Sequence, residues 1–319
     1  GAISASTFPI FSARVDSECA AQEKNIHQLA GREFNVGSNP QLAQVLYADL
    51  KLPVLKKGKT GPSTDQEVLE KLAEQHPLPG AILEYRTLSK LKSTYLDTLP
   101  TLVARDGRIH TTYHQAATAT GPVSSSDPNL QNIPVRTDLG REIRRAFIAE
   151  PGHQLVSADY SQVELRLLAH IAEDPVLIDA FLHDEDIHSR TAAEIFGLPP
   201  DQVDREQRRV AKTVNFGIAY GLSPHGLSTR LSIPVEQARD IIERYFTRYA
   251  GIRRYLEETV DRARKTGYVE TMFGRRRLMA DLHSRNRQVA QAAERAAINM
   301  PIQGTAADLI KKAMLAVDE

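Results

Sequence analysis

Arg208, Lys212, Phe216 and Tyr220 recur every four residues within RRVAKTVNFGIAYG, residues 208–221. On an α-helix residues four apart are neighbours, so these form one slanting stripe, cationic in its first half and aromatic in its second. A solvated basic face is the ordinary reason for two cations on a helix, but it leaves the two aromatics unexplained. A guanidinium fork and an ammonium grip phosphates, while aromatic rings stack on bases. Triphosphate plus base describes a nucleotide. Upstream, Asp159 follows the apolar run Leu155-Val156-Ser157-Ala158. There a short carboxylate could hold a hard cation such as magnesium; capping the next helix is the competing role. A carboxylate-bound metal beside Arg and Lys is what phosphoryl transfer requires.

Several elements must position these groups. HQLVSADYSQVELRLLAHIA reads as a strand at 154–160 followed by a helix beginning near Gln162. Beyond Ile171 the pattern is helical to about Lys265, with breaks at Gly197-Leu198-Pro199-Pro200 and Ser223-Pro224. GYVETMFGRRRLM predicts a hairpin, and helices close the chain from Asn286 to Val317. In the first hundred residues a Ser or Thr cap in STDQEVLEKL predicts a helix over 66–75. Ile82, Leu83, Leu88, Leu91, Tyr95 and Leu96 supply the apolar stripe of a second helix, with Lys90 and Lys92 facing elsewhere. The Lys56–Asp65 stretch reads as a mobile loop, and 102–148 as sheet with long loops. No internal repeat is present.

Composition bounds the class. With 319 residues and 41% hydrophobic content, the chain can bury a sizeable core divided among two or three subdomains. The formal net charge is zero, so only local charge informs. From Arg205 to Arg230 five of six charges are basic, and between Glu173 and Asp186 every charge is acidic. The single cysteine, Cys19, excludes an internal disulfide and a Cys-based zinc site and fits a reducing cytosol. Neither a membrane span nor a signal peptide is evident, so a cytoplasmic protein with no membrane partner is expected.

DYSQVELR (159–166), RRVAKTVNFGIAYG, TATGPVSSSDPNLQNIP (118–134) and NMPIQGTAADLIK (299–311) together resemble the polymerase region of the bacterial family A DNA polymerases. FNVGSNPQLAQVL and LSKLKSTYLDTLP extend the likeness, which runs from about Phe34 to the last residue. The resemblance implies an α+β, predominantly helical fold, a right hand with thumb (1–105), palm (106–165 and 285–319) and fingers (166–284). It implies a template-directed DNA polymerase that adds deoxynucleotides to a primer 3′ end. Primer-template DNA and deoxynucleoside triphosphates would be its partners, two Mg2+ ions its cofactors, and a monomer its expected state. Carried onto matching positions, Asp159 and the Tyr160 backbone become metal ligands. Tyr160, Gln162, Glu164, His188, Arg208, Lys212, Phe216 and Tyr220 become nucleotide-binding, with Arg208 and Lys212 also catalytic and Glu164 a steric gate against a ribose 2′-hydroxyl. Arg295, Asn299 and Gln303 would read minor-groove acceptors at the primer end. Lys90 and Lys92, with Lys56, Lys57 and Lys59 from the loop, would meet duplex phosphates. The Gly274–Arg277 tract resembles the family's fingers hairpin.

Two departures stand out. The family carries a second metal-binding aspartate in a His-Asp-Glu turn beyond the helix holding Gln303, and no such turn precedes Glu319. The alternative expectation is therefore a truncated or degenerate fragment that binds primer-template and nucleotide without turnover. Pro122 stands where the family usually has Arg, and proline offers no donor to a primer end.

Overall fold

The protein is described by a computed structural model over residues 2–3, 7–58, 61–135 and 137–318. Lys59 and Glu319 lie outside the described residues. The chain packs as two units, one of residues 1–113 and 125–156, the other of residues 114–124 and 157–319.

The first unit holds β1 (Ala2–Ile3), α1 (Thr7–Ala30), α2 (Asn39–Ala43), the short hairpin β2 (Lys57–Gly58) and β3 (Gly61–Pro62), α3 (Gln66–Ala73) and α4 (Pro77–Leu91). β4 (Thr112–His114) pairs with β5 (Ser124–Ser126), both strands running across the limits just given, and the first unit continues with α5 (Asp138–Arg145) and β6 (Phe147–Ile148), antiparallel to β1. The expected helix at 66–75 is α3, but its cap is Asp65, whose side chain accepts from the Val68 N–H, and not Ser or Thr. Asp is as good a cap as Ser, and the register of the buried Val68, Leu69 and Leu72 decides between them. The expected stripe of the second helix is buried at Ile82, Leu88, Leu91, Tyr95 and Leu96, with residues 92–96 continuing α4 as a wider π-helical turn.

The stretch 102–148 is mostly loop, with strands of two or three residues and one helix that sequence reading missed. That helix, α5, starts where the Thr137 hydroxyl accepts from the Gly140 N–H, and it carries Asp138 in its first turn and Arg144 and Arg145 in its last. Only Gly140 and Ile143 bury, so an apolar periodicity was too sparse to see.

The second unit is helical: α6 (Val163–Ile171), α7 (Pro175–Leu182), α8 (Ile187–Phe196), α9 (Arg205–Ala219), α10 (Pro224–Leu231), α11 (Val235–Arg248) and α12 (Ala250–Thr266). The hairpin β7 (Tyr268–Glu270) and β8 (Arg276–Leu278) follows where expected, and α13 (Arg287–Asp318) is one continuous helix with Pro301 inside. Leu165, Leu168, Ile187, Val214, Tyr245 and Ile252 centre the core around which the helices pack. Buried Asp174 caps α7 through the Val176 and Leu177 N–H groups and also accepts from the Gly251 N–H, tying the start of α7 to α12. Arg275 fastens the hairpin turn to α13 through Asp308 and the Gly304 carbonyl, and it holds the TATG loop through the Thr120 carbonyl. A Cβ at Gly121 would lie 2.2 Å from that guanidinium, so only glycine fits. The Gly274–Arg277 tract is therefore largely engaged: Arg275 points inward and Arg276 pairs with Glu270.

One expectation fails. Residues 154–160 are not a strand: all are exposed, Leu155 by 70% and Val156 by 88%, and no strand among the described residues pairs with them. An apolar sequence favours a strand only when a neighbour accepts its backbone hydrogen bonds.

Candidate active site

The stripe is real and sits on α9. Asp204 caps this helix in a capping box with Gln207, an arrangement that contributes about 1 kcal/mol and fixes which residues face out. Arg208 and Lys212 are exposed and Phe216 is half-buried. Tyr220 lies just past the helix as its C-cap, and Gly221 (φ 68°) then turns the chain in the left-handed conformation that favours glycine.

Around Arg208 the structure assembles an ion pair with a carboxylate. Arg208 donates through Nε to Asp186 Oδ2 at 2.6 Å and through Nη2 to Oδ1 at 3.3 Å, a two-point fork on a carboxylate. Asp186 also caps α8 by accepting from the His188 N–H, and it accepts from the Ser189 hydroxyl. Burial alone would raise this carboxyl, but these hydrogen bonds, led by Arg208, overcome it and hold it at about 2. Lys212 makes no ion pair among the described residues.

His188 is 4% exposed, with its ring centroid 5.7 Å from that of Phe216. Burial is the main cause that lowers its pKa to about 4; Asp186 opposes this, while Arg208 and Lys212 add to it. It is neutral at physiological pH. The Asn215 side chain reaches His188 Nδ1 at 3.1 Å, and Asn215 in turn meets the Thr191 hydroxyl. Sequence reading missed both Asp186 and Asn215. An Asn in the interior of a helix was the available signal, because Asn there needs a partner.

A second group forms where α6 meets the end of α9. The Tyr220 hydroxyl donates a short hydrogen bond to Glu164 Oε2, and burial, then the bond and charge of Glu164, push the phenol well up. Beside Tyr220 a cleft of about 340 Å³ is bounded by Gly221, Ser223, Arg230 and Arg295. Arg295, Asn299 and Gln303 do share one face of α13, where the Asn299 amide approaches Gln303 Oε1 at 3.4 Å and Asn299 Oδ1 is buried without a partner.

The remaining sequence-predicted residues are less engaged. Asp159 and Tyr160 lie on the exposed segment before α6, and their side chains make no hydrogen bond or ion pair among the described residues. Asp159 does not cap α6. That position belongs to Gln162, which has φ 54° and makes no side-chain cap bond, a conformation costing roughly 1–2 kcal/mol for a residue with a Cβ. Among the described residues no group of three or more His, Cys, Asp or Glu could hold a metal ion. Asp159 and the Tyr160 carbonyl present oxygens of the kind that could hold a hard cation. In the first unit Lys90 is exposed, whereas Lys92 is paired with Asp97 at 2.6 Å and Asp16 at 3.2 Å. Lys56 pairs with Asp65 at 2.7 Å.

No helix among the described residues is long and apolar enough to cross a membrane. The family model of DNA polymerase family A matches residues 6–319. DNA polymerase I of Pseudomonas aeruginosa is 53% identical over 319 residues, covering 99% of this chain and 35% of that protein. The thermostable DNA polymerase I of Thermus aquaticus is 55% identical over 307 residues, covering 95% of this chain and 37% of that protein. Among solved structures, the POL domain of Pol1 from M. smegmatis in complex with DNA primer-template and dNTP superposes with a TM-score of 0.91 at 45% identity. It covers 99% of this chain and 56% of that chain. The chain spans 35–37% of the length of these curated relatives. With its mostly helical α+β fold and a match that runs through every segment described above, the chain belongs to DNA polymerase family A.

Proposed function

We propose that this chain handles the incoming nucleotide and the primer end in template-directed DNA synthesis, arranged as thumb (1–105), palm (106–165 and 285–319) and fingers (166–284). The observation that carries the reading is the Arg208 fork, fitted at two points to a carboxylate, with exposed Lys212 one turn further along the same helix. Asp186 stands where a phosphate oxygen pair would, and a half-exposed ion pair of this kind contributes only about 0–1 kcal/mol. A triphosphate, with more charge and more oxygens, displaces it readily. The M. smegmatis relative is described with primer-template and dNTP, which supports the same ligands here.

In this reading Arg208 and Lys212 hold the triphosphate, with His188 beside them. Phe216 lies at the sugar, Glu164 excludes a 2′-hydroxyl and Tyr220 borders the templating position. Arg295, Asn299 and Gln303 approach the minor groove of the primer end, and Lys90 follows duplex phosphate. Magnesium ions, when bound, supply charge neutralisation at the transferring phosphate, and Asp159 with the Tyr160 carbonyl are the donors this chain brings to them.

Primer extension tests this reading. Asp159→Ala is expected to abolish extension and leave primer-template binding nearly intact. Extension at the parental rate would remove Asp159 from the metal site.

A further inference from the structure

His188, Asn215, Thr191 and Tyr249 form one buried line of polar groups crossing from α8 through α9 to the start of α12. They are respectively 4%, 1%, 0% and 0% exposed. Asn215 Nδ2 lies 3.1 Å from both His188 Nδ1 and Thr191 Oγ1, Thr191 Oγ1 lies 3.2 Å from Asn215 Oδ1, and the Tyr249 hydroxyl lies 3.0 Å from Thr191 Oγ1. An amide nitrogen only donates, so one Asn215 N–H is directed at His188 Nδ1 and the other at Thr191 Oγ1. Thr191 gives its own proton to Asn215 Oδ1 and keeps a lone pair for the Tyr249 hydroxyl.

Tyr249 is fully buried, and among the described residues its hydroxyl has Thr191 as its single hydrogen-bond partner, so its proton goes there. The line ends on an imidazole whose Nδ1 accepts from the Asn215 amide nitrogen, and a neutral imidazole with Nδ1 accepting carries its proton on Nε2.

We propose that Asn215 is a positioning residue that holds His188 in the Nε2–H tautomer, so that the imidazole presents a neutral N–H donor for the triphosphate beside Arg208 and Lys212. The inference rests on the nucleotide-binding reading of α9 for the ligand, and on the buried line alone for the tautomer. Nε2 makes no hydrogen bond to the described residues, and it is not among their buried, unpartnered atoms. Next to two fixed cations a neutral donor is the useful species, because it adds a directional bond to an oxyanion without a third charge to desolvate. The low pKa of His188 agrees with this.

The test is a long-range proton–nitrogen spectrum of the 319-residue chain carrying nitrogen-15 histidine, with the His188 signals identified from their loss in His188→Gln. The expected pattern at neutral pH is an unprotonated, pyridine-type Nδ1 and a protonated, pyrrole-type Nε2. A protonated or averaged Nδ1 overturns the proposal without any variant. Asn215→Asp places an acceptor against Nδ1 and is expected to move it into the protonated range, and an unchanged pattern there overturns the role of Asn215. Should that variant fail to fold, Asn215→Leu removes the donor to Nδ1 and is expected to give averaged nitrogens; a pure Nε2–H pattern in it overturns the role of Asn215. Titration with dATP and magnesium reads the ligand separately. A shift of the Nε2–H signal supports the phosphate contact, and no shift with the tautomer intact overturns the nucleotide reading while the positioning role stands.

Discussion

At the scale of single residues, Phe216 and Glu164 make the sharpest claims. Phe216 is half-buried against His188, and a tyrosine there would add one hydroxyl at the proposed sugar position. Phe216→Tyr is expected to raise use of dideoxynucleotides, because the new hydroxyl replaces the contact a 3′-hydroxyl makes. One hydrogen bond of about 1–3 kcal/mol corresponds to roughly five- to 150-fold, readable as a termination ladder. Lys212→Ala should weaken deoxy- and dideoxynucleotides alike, since it touches phosphate and not sugar; the same unselective loss in both variants would reduce the stripe to a structural helix face. Glu164→Ala is expected to raise ribonucleotide incorporation relative to deoxynucleotide in single-turnover assays, and an unchanged ratio removes the gate. Glu164 also anchors the Tyr220 hydroxyl, so its loss leaves a half-buried phenol unpaired and should lower stability by about 1 kcal/mol. The stripe was legible because helical spacing alone places it, whereas Glu164 entered only through the family resemblance. The Asp186 and Asn215 contacts were not, because residues 22 and 27 positions from their partners meet only through the packing of α8 on α9.

At the scale of elements, the junction of α8 and α9 couples stability to pH in two windows. His188 titrates near 4 in the folded chain against an ordinary 6.5, so the unfolded chain binds the extra proton between those values and stability falls as pH drops through that range. The contribution is on the order of 3 kcal/mol. Asp186, held at about 2 against 3.8, stabilises above 3.8 and loses that contribution as pH falls toward 2. Urea midpoints measured from pH 7 to pH 4 should therefore fall less steeply for His188→Gln than for the parent, and parallel slopes would show that His188 is not buried neutral. Element types followed from periodicity and caps wherever an apolar face repeats, as in α3, α4 and the helices from α6 onward. The predicted strand at 154–160 failed because a strand's stability lies in a partner that its own residues do not encode. Short α5 escaped because its stability comes from a cap and end charges more than from an apolar face.

At the scale of the whole molecule, zero net charge hid the function, since basic and acidic stretches cancel in the sum and only their placement carries meaning. Family membership was legible from four motifs in order. The two packing units were not, because residues 114–124 join the second unit through Arg275 and through Lys311, which donates to the Gln115 carbonyl at 2.6 Å, contacts that span more than 150 positions. In the proposed function one face of α9 holds a nucleotide chosen by a template. Equilibrium binding of each of the four deoxynucleoside triphosphates to the chain on a dideoxy-terminated primer-template, with magnesium present and the templating base varied, tests this. The nucleotide complementary to the templating base is expected to bind about tenfold or more tighter than the other three, equivalent to about 1.4 kcal/mol, and Lys212→Ala to weaken all four alike. Equal binding of the four nucleotides whatever the templating base, or undiminished binding by Lys212→Ala, would show that this face of α9 does not hold a templated nucleotide.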